Sequence, residues 1–412
     1  MKDTSPIIEL INKNQKLKIT ILPILFFSLV FIANPLIAII LLFLYLMISG
    51  NNNSILLYFT CVILAIFLGL INSTKIPESD LIWYINGYLD AGRTPFKEYL
   101  FTFGINGSGK ELAFPLMNFL IYQIIGNNIN LYLITYSLIA YSLLNISIYK
   151  FGKAMEFSNE IVVSSIFIMS FTPYIFTMSE ILMRQFLADA LLMYIMVNMF
   201  FYNKKHILLI IIMVLIHSSS FLFVPFLFFP FFKKPFSKKT MFYYILGVLI
   251  LLGMQKIATA ILPFINNVPI LNYIFSRASS GTTYDLGELS TIKIMTSILT
   301  MLIPIIIINL LQPNLKKSTG LIHFFNILTF LVLFILANLH QSELSIRLNF
   351  YVWQFFPFVF LLIANYLKFN KILLYPIGIA LIAFFIYYLD AGMWTYKVGS
   401  GIFYNSIFHY LI

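Results

Sequence analysis

The feature that most limits what this chain can fold into is a succession of apolar runs along nearly its whole length, each close to the roughly 20 residues that about 30 Å of hydrocarbon requires. Inside a bilayer the backbone N–H and C=O groups have to be satisfied without water, which leaves helices as the solution for runs of this kind. Composition agrees: 10% of the 412 residues are charged, against about 25% in soluble domains. The sequence therefore predicts an all-α polytopic membrane protein, a single integral membrane domain over residues 1–412 with no soluble second domain.

The runs place spans at 19–33, 36–49, 55–71, 131–149, 161–178, 182–202, 241–261, 291–311, 321–339, 347–366 and 372–389. These are about 11 crossings. A short apolar stretch at 112–125 reads as a re-entrant or interfacial half-helix, because a full crossing there would put Lys150, Lys153, Lys204 and Lys205 outside. Residues 207–232 lie between lysine clusters and are divided by His217-Ser218-Ser219-Ser220 into halves that reach roughly 16 to 18 Å each. That predicts a helical hairpin with His217 near its tip; one long span with lysines on both sides is the alternative, and it would invert everything downstream.

The lysine-rich start (Lys13, Lys16, Lys18) with no small-x-small cleavage site reads as an uncleaved first span with a cytoplasmic N-terminus. Loops 73–112 and 262–290 then lie outside. A net charge of +11 is explained by this topology, with the basic residues scattered through short loops, and not by nucleic acid. Cys61, the one cysteine, can form no intrachain disulfide and falls in an apolar run. In the first outer loop Leu81, Ile82, Ile85, Tyr88 and Leu89 recur at helical spacing behind Ser79 or Asp80 as cap. With Trp83 and Tyr84 suited to headgroup level, they predict an interfacial helix.

The cations differ in kind between the two sides. Every arginine (Arg93, Arg184, Arg277, Arg347) falls on the predicted outer face, and every predicted inner cation is a lysine. Orientation needs only charge, whereas a planar fork of donors suits the oxyanions of phosphate or carboxylate. Arg184 stands in the first turns of an apolar helix, where an arginine costs roughly 2.5 to 3.5 kcal/mol unless it has an anionic partner or reaches the headgroups. It reads as a binding group, with a snorkelling side chain as the alternative.

Three further groups are candidates. Gln185 and Asp189 are i,i+4 neighbours, which favours a buried, neutral Asp189 hydrogen-bonded to Gln185. His340, Glu343, Arg347, Tyr351 and Gln354 share one face if their helix extends back far enough; a Glu343–Arg347 ion pair capping that helix is the alternative. Arg277 lies among small and hydroxylated residues that suit contact with a polar ligand, as would an ordinary loop. The five histidines form no paired metal motif, and there is no phosphate-cradling glycine loop and no nucleophile elbow. No metal and no cofactor are expected.

Several short stretches together resemble the EpsG-like branch of the O-antigen polymerases (Wzy proteins): Asp80 with Trp83-Tyr84 and Tyr88; Glu111-Leu112-Ala113-Phe114-Pro115-Leu116; Gly126-Asn127; Arg184-Gln185; and His217-Ser218-Ser219 after Lys204-Lys205, with an echo at Arg347. That family's arginine-x10-glycine spacing is met by Arg93 and Gly104, while Gly287 comes one residue too early after Arg277. The resemblance implies a membrane-embedded, GT-C-like glycosyltransferase of the bacterial inner membrane. It would join undecaprenyl-diphosphate-linked oligosaccharide repeat units, as donor and acceptor, at the periplasmic face, alongside a chain-length regulator protein. Arg184, Arg347 and Arg277 would hold the donor diphosphate, with Gln185, His217, Glu343 and Tyr351 as further substrate contacts. By analogy with related membrane glycosyltransferases Asp80 is the expected general base, with His340 or Glu111 as alternatives. An O-antigen ligase shares the sidedness and the arginines, and a lipid-linked oligosaccharide flippase is the rival outside the enzymes. A transporter should show repeated halves and charge through the depth of the bundle, neither of which is evident here.

Overall fold

The computed structural model describes residues 21–50, 53–101, 111–235, 237–264, 318–337, 342–391 and 396–411, and the regular elements in them are helices. In chain order these begin with α1 (Ile21–Ala33), α2 (Pro35–Ser49), α3 (Ser54–Asn72), α4 (Asp80–Asp90), α5 (Phe96–Phe101), α6 (Ala113–Ile125), α7 (Ile129–Ala154), α8 (Asn159–Phe171), α9 (Pro173–Ile181) and α10 (Met183–Tyr202). They continue with α11 (Ile207–Ile216), α12 (Val224–Phe228), α13 (Lys238–Ile261), α14 (Thr319–Ala337), α15 (Ser342–Tyr366), α16 (Lys371–Ala391) and α17 (Ile407–Leu411). Among the described residues six helices are long and apolar enough to cross a membrane, or seven if α8 and α9 count as one bent span. This is an all-α polytopic membrane protein. The expected first two spans are helices shorter than 18 residues, and the expected span 291–311 lies outside the described residues.

Asparagines set many of the helix starts, as their short acceptor side chains allow. Asn34 accepts from Ile37 N at 2.9 Å with Pro35 in the first helical turn, Asn53 accepts from Ile55 N at 3.0 Å, and Asn128 accepts from Leu131 N at 3.0 Å. The stretch expected as one span at 161–178 is instead broken, with a 50° bend between α8 and α9. The cause is Pro173: it has no N–H to continue the helix and forces Thr172 into extended backbone.

The hairpin region is likewise divided at His217. The ten residues of α11 end at Ile216, and a 3-10 turn, Ser218–Phe223, leads into α12. A ten-residue helix rises only about 15 Å, so α11 alone does not cross.

By contacts the chain forms two compact units. One comprises the described residues up to Tyr194, Leu215–His217 and those from Leu367 onward; the other comprises Ile195–Val214 and Ser218–Tyr366. In the first unit the most extensive packing is α3 along α7. A Cβ on Gly69 would lie 2.9 Å from Ile134 Cα and 3.0 Å from its carbonyl oxygen, so glycine lets the two backbones approach as small residues do between membrane helices. Gly69→Ala is expected to destabilise the purified protein by about 1–3 kcal/mol through overpacking, read as a lowered melting temperature in detergent.

Helix α4 forms where the spacing predicts, burying Leu81, Ile85 and Tyr88 and leaving Ile82 and Trp83 exposed. Ser79 occupies the cap position with φ of 51° but its side chain makes no capping bond. Tyr88 stacks on Tyr132 with centroids 4.0 Å apart and donates to the Gly126 carbonyl, and Tyr99 donates to the Gly87 carbonyl at 2.7 Å. The chain's last turns close back on this unit: Lys75 bridges Tyr396, Lys397 N donates to Thr74 O at 2.8 Å, and Asn34 donates to Phe403 O at 2.8 Å. In the second unit α14 packs on α15, on α13 and on the turn Pro230–Lys233. Asn326 of α14 donates to Phe232 O at 2.7 Å and to Lys234 O at 2.8 Å.

Candidate functional site

Three ionisable side chains from distant parts of the sequence meet in the first unit. Glu111 precedes α6, Arg184 stands in the first turn of α10, and His217 follows the end of α11. Arg184 NH1 donates to Glu111 Oε2 at 2.7 Å, and His217 Nδ1 lies 3.0 Å from Glu111 Oε1. The Glu111 side chain is 4% exposed and that of Arg184 31%. A carboxylate this buried persists because each of its oxygens has a polar partner. Arg184, by contrast, holds Glu111 through NH1 and also reaches the Tyr84 hydroxyl, while part of its surface stays exposed.

The contact also orients the imidazole: an ionised carboxylate only accepts, so with Glu111 ionised it is Nδ1–H that donates and Nε2 that faces away from the carboxylate. A carboxylate behind an imidazole in this manner holds the ring in one orientation.

The fourth member is Tyr84. The Arg184 guanidinium carbon lies 5.8 Å from the centre of the Tyr84 ring, within cation–π range, and Phe114 packs edge-on to the same ring at 5.7 Å. Burial pushes the Tyr84 phenol above its ordinary value; the Arg184 guanidinium opposes this, and the carboxylates of Asp80 and Glu111 add to it. Asp80 sits one turn before Tyr84 on α4, so the same helix face presents both. Acidic, basic, aromatic and imidazole groups thus converge where Arg184 remains partly open.

A second charge pair lies deeper. Lys75 Nζ is 3.6 Å from Glu180 Oε2, and both side chains are fully buried. Burial pushes the Lys75 ammonium below its ordinary range, with Glu180 pulling it back. Around it, the Tyr136 hydroxyl lies 2.9 Å from both the Ser179 and Met183 carbonyls, bridging the non-helical Leu182 between α9 and α10.

Of the residues expected from the sequence, Glu111, Arg184 and His217 are brought together, with Asp80 on the flanking helix. Gln185 and Asp189 are both buried, which is the burial expected of Asp189. Tyr351 belongs to the second unit, where its hydroxyl is 3.2 Å from Ser219 Oγ and its ring packs on Phe223 at 4.6 Å. Arg347 lies on the same helix α15, whose backbone also includes Glu343. Arg277 and His340 lie outside the described residues, as does Gly104. Lys75 and Glu180 were not singled out from the sequence, and Tyr84 was expected beside Trp83 at headgroup level, with no hint of its contact with Arg184.

A family model described as the EpsG family matches residues 55–410. No curated protein and no solved structure matches the chain.

Proposed function

The chain belongs to the EpsG family, and from that premise we propose that it is a surface-polysaccharide polymerase that joins undecaprenyl-diphosphate-linked oligosaccharide repeat units at the periplasmic face of the inner membrane. The observation that carries the proposal is the Glu111 carboxylate shared between Arg184 and His217.

In this reading the partly exposed Arg184 guanidinium binds the diphosphate of the donor lipid, each charge-assisted bond contributing about 1.5–3 kcal/mol. A hydroxyl of the acceptor unit attacks the anomeric carbon of the donor sugar. The new C–O bond forms as the bond from that carbon to the phosphate oxygen breaks; the hydroxyl proton passes to His217 Nε2, and undecaprenyl diphosphate departs with the bonding electron pair. Arg184 stabilises the charge that gathers on the leaving oxygen. Glu111 touches neither bond and orients both partners. Arg347, and Arg277 with it, are proposed to grip further phosphate or sugar oxygens.

His217 takes the role of base ahead of Asp80 because a buried carboxylate aligns its ring. Asp80 is the second reading, favoured by its position one turn before Tyr84. Tyr84 and Trp83 provide aromatic faces for sugars. A chain-length regulator is the proposed protein partner.

The lipopolysaccharide profile of a deletion strain separates the reading from its rivals. Loss of a polymerase leaves a single repeat unit on the surface. An O-antigen ligase or a flippase would leave none.

A further inference from the structure

Both arms of the site grow from one buried tie. Lys75 lies in the segment between α3 and α4, five positions before Asp80 and nine before Tyr84; Glu180 is the penultimate residue of α9, four positions before Arg184. We propose that the Lys75–Glu180 ion pair positions the site, tying the segment that delivers Asp80 and Tyr84 to the break that delivers Arg184, so that the guanidinium is held within reach of Tyr84 and Glu111 together.

The surroundings support a tie and not a mere filler. Two adjacent residues of α7 pin the two roots: Ser137 accepts from Asn72 at 3.0 Å, just before Lys75, and Tyr136 reaches the carbonyls of Ser179 and Met183. The Lys75 backbone is held again by its bridge to Tyr396, and Lys397 N donates to Thr74 O. Helix α4 packs directly on α9. Two fully buried charges are a poor means of stabilisation, since well-packed apolar side chains of similar volume do as well or better; what a charge pair adds is directional register. The break at Leu182 makes that register matter, because no continuous helix connects Glu180 to Arg184.

This proposal rests on the function proposed above only for its catalytic consequence; its geometry can be measured separately. In full-length protein with Cys61→Ala, cysteines placed by Tyr84→Cys and Arg184→Cys are bridged with dibromobimane and the cross-link yield is read by fluorescence. Lys75→Met with Glu180→Leu removes the tie without leaving a buried charge unpaired, and the yield is expected to fall severalfold. The reversed pair, Lys75→Glu with Glu180→Lys, is expected to recover it. In protein with native Tyr84 and Arg184, the apolar pair should lower kcat for joining lipid-linked repeat units about 10- to 100-fold, as small misplacements of reacting groups do, with KM little changed.

An unchanged cross-link yield in the apolar pair overturns the proposal, as does a reversed pair that accumulates normally without recovering the yield. If the apolar pair does not accumulate, Lys75→Arg takes its place: the altered head group keeps the charge but shifts the tie, and an unchanged yield again overturns the proposal. A lost cross-link with full turnover would uphold the positioning and remove Arg184 from the reaction.

Discussion

Arg184→Ala is expected to lower the rate of repeat-unit joining about 10²- to 10³-fold, the scale set by losing one preorganised group that stabilises developing charge. The protein should reach the membrane at a normal level, because the Arg184 side chain is partly exposed and its loss leaves Glu111 a partner in His217. Arg184→Lys should fall between, since an ammonium replaces the charge but cannot serve Glu111 and a diphosphate through a planar fork at once. Chain-length distribution of the surface polysaccharide, read beside protein level, reports both variants. Polymer of normal length in Arg184→Ala would take this residue out of the mechanism.

Glu111→Gln and His217→Gln are each expected to cost about 10²- to 10⁴-fold, the contribution of a positioned general base. Glutamine at 111 can still accept hydrogen bonds, but it cannot compensate the charge of an imidazolium. The two losses should not add: with the base gone, its orienting carboxylate has little left to do, so the double variant is expected to be no slower than the worse single one by more than a few-fold. Initial rates with purified protein and lipid-linked repeat units measure this. If Asp80→Asn abolishes joining while His217→Gln retains it, the base is Asp80.

Much of this protein was legible from local pattern. The helix Asp80–Asp90 follows from apolar spacing, and the helix beginning at Met183 was marked by an arginine that hydrocarbon would not otherwise tolerate. The break at His217 follows from a polar cluster between two apolar stretches. Pro173 carried an equally local signal for the α8–α9 bend, but the apolar run reads straight through it, and hydropathy outweighed backbone chemistry in placing one continuous span there.

The site itself was legible only as separate parts. Glu111 stood out as an acidic residue opening a half-helix, yet nothing within a few residues of it shows that its two oxygens meet a side chain 73 positions later and another 106 positions later. Such pairings depend on how helices pack, and apolar periodicity fixes which face of a helix is buried without saying against what. Lys75 and Glu180 were hidden for the same reason: each alone reads as a loop cation or a helix-end carboxylate, and only their burial against each other makes them informative.

The grip proposed for Arg184 on a lipid diphosphate is one from the periplasmic side. It is tested most directly with Trp83→Cys in a Cys61→Ala background, because position 83 is exposed and adjoins Tyr84. A membrane-impermeant thiol reagent is expected to label it from outside in intact cells. In proteoliposomes undecaprenyl diphosphate should slow that labelling severalfold, and the protection should vanish in Arg184→Ala. Labelling that requires permeabilised cells, or protection that survives the loss of Arg184, would contradict the account.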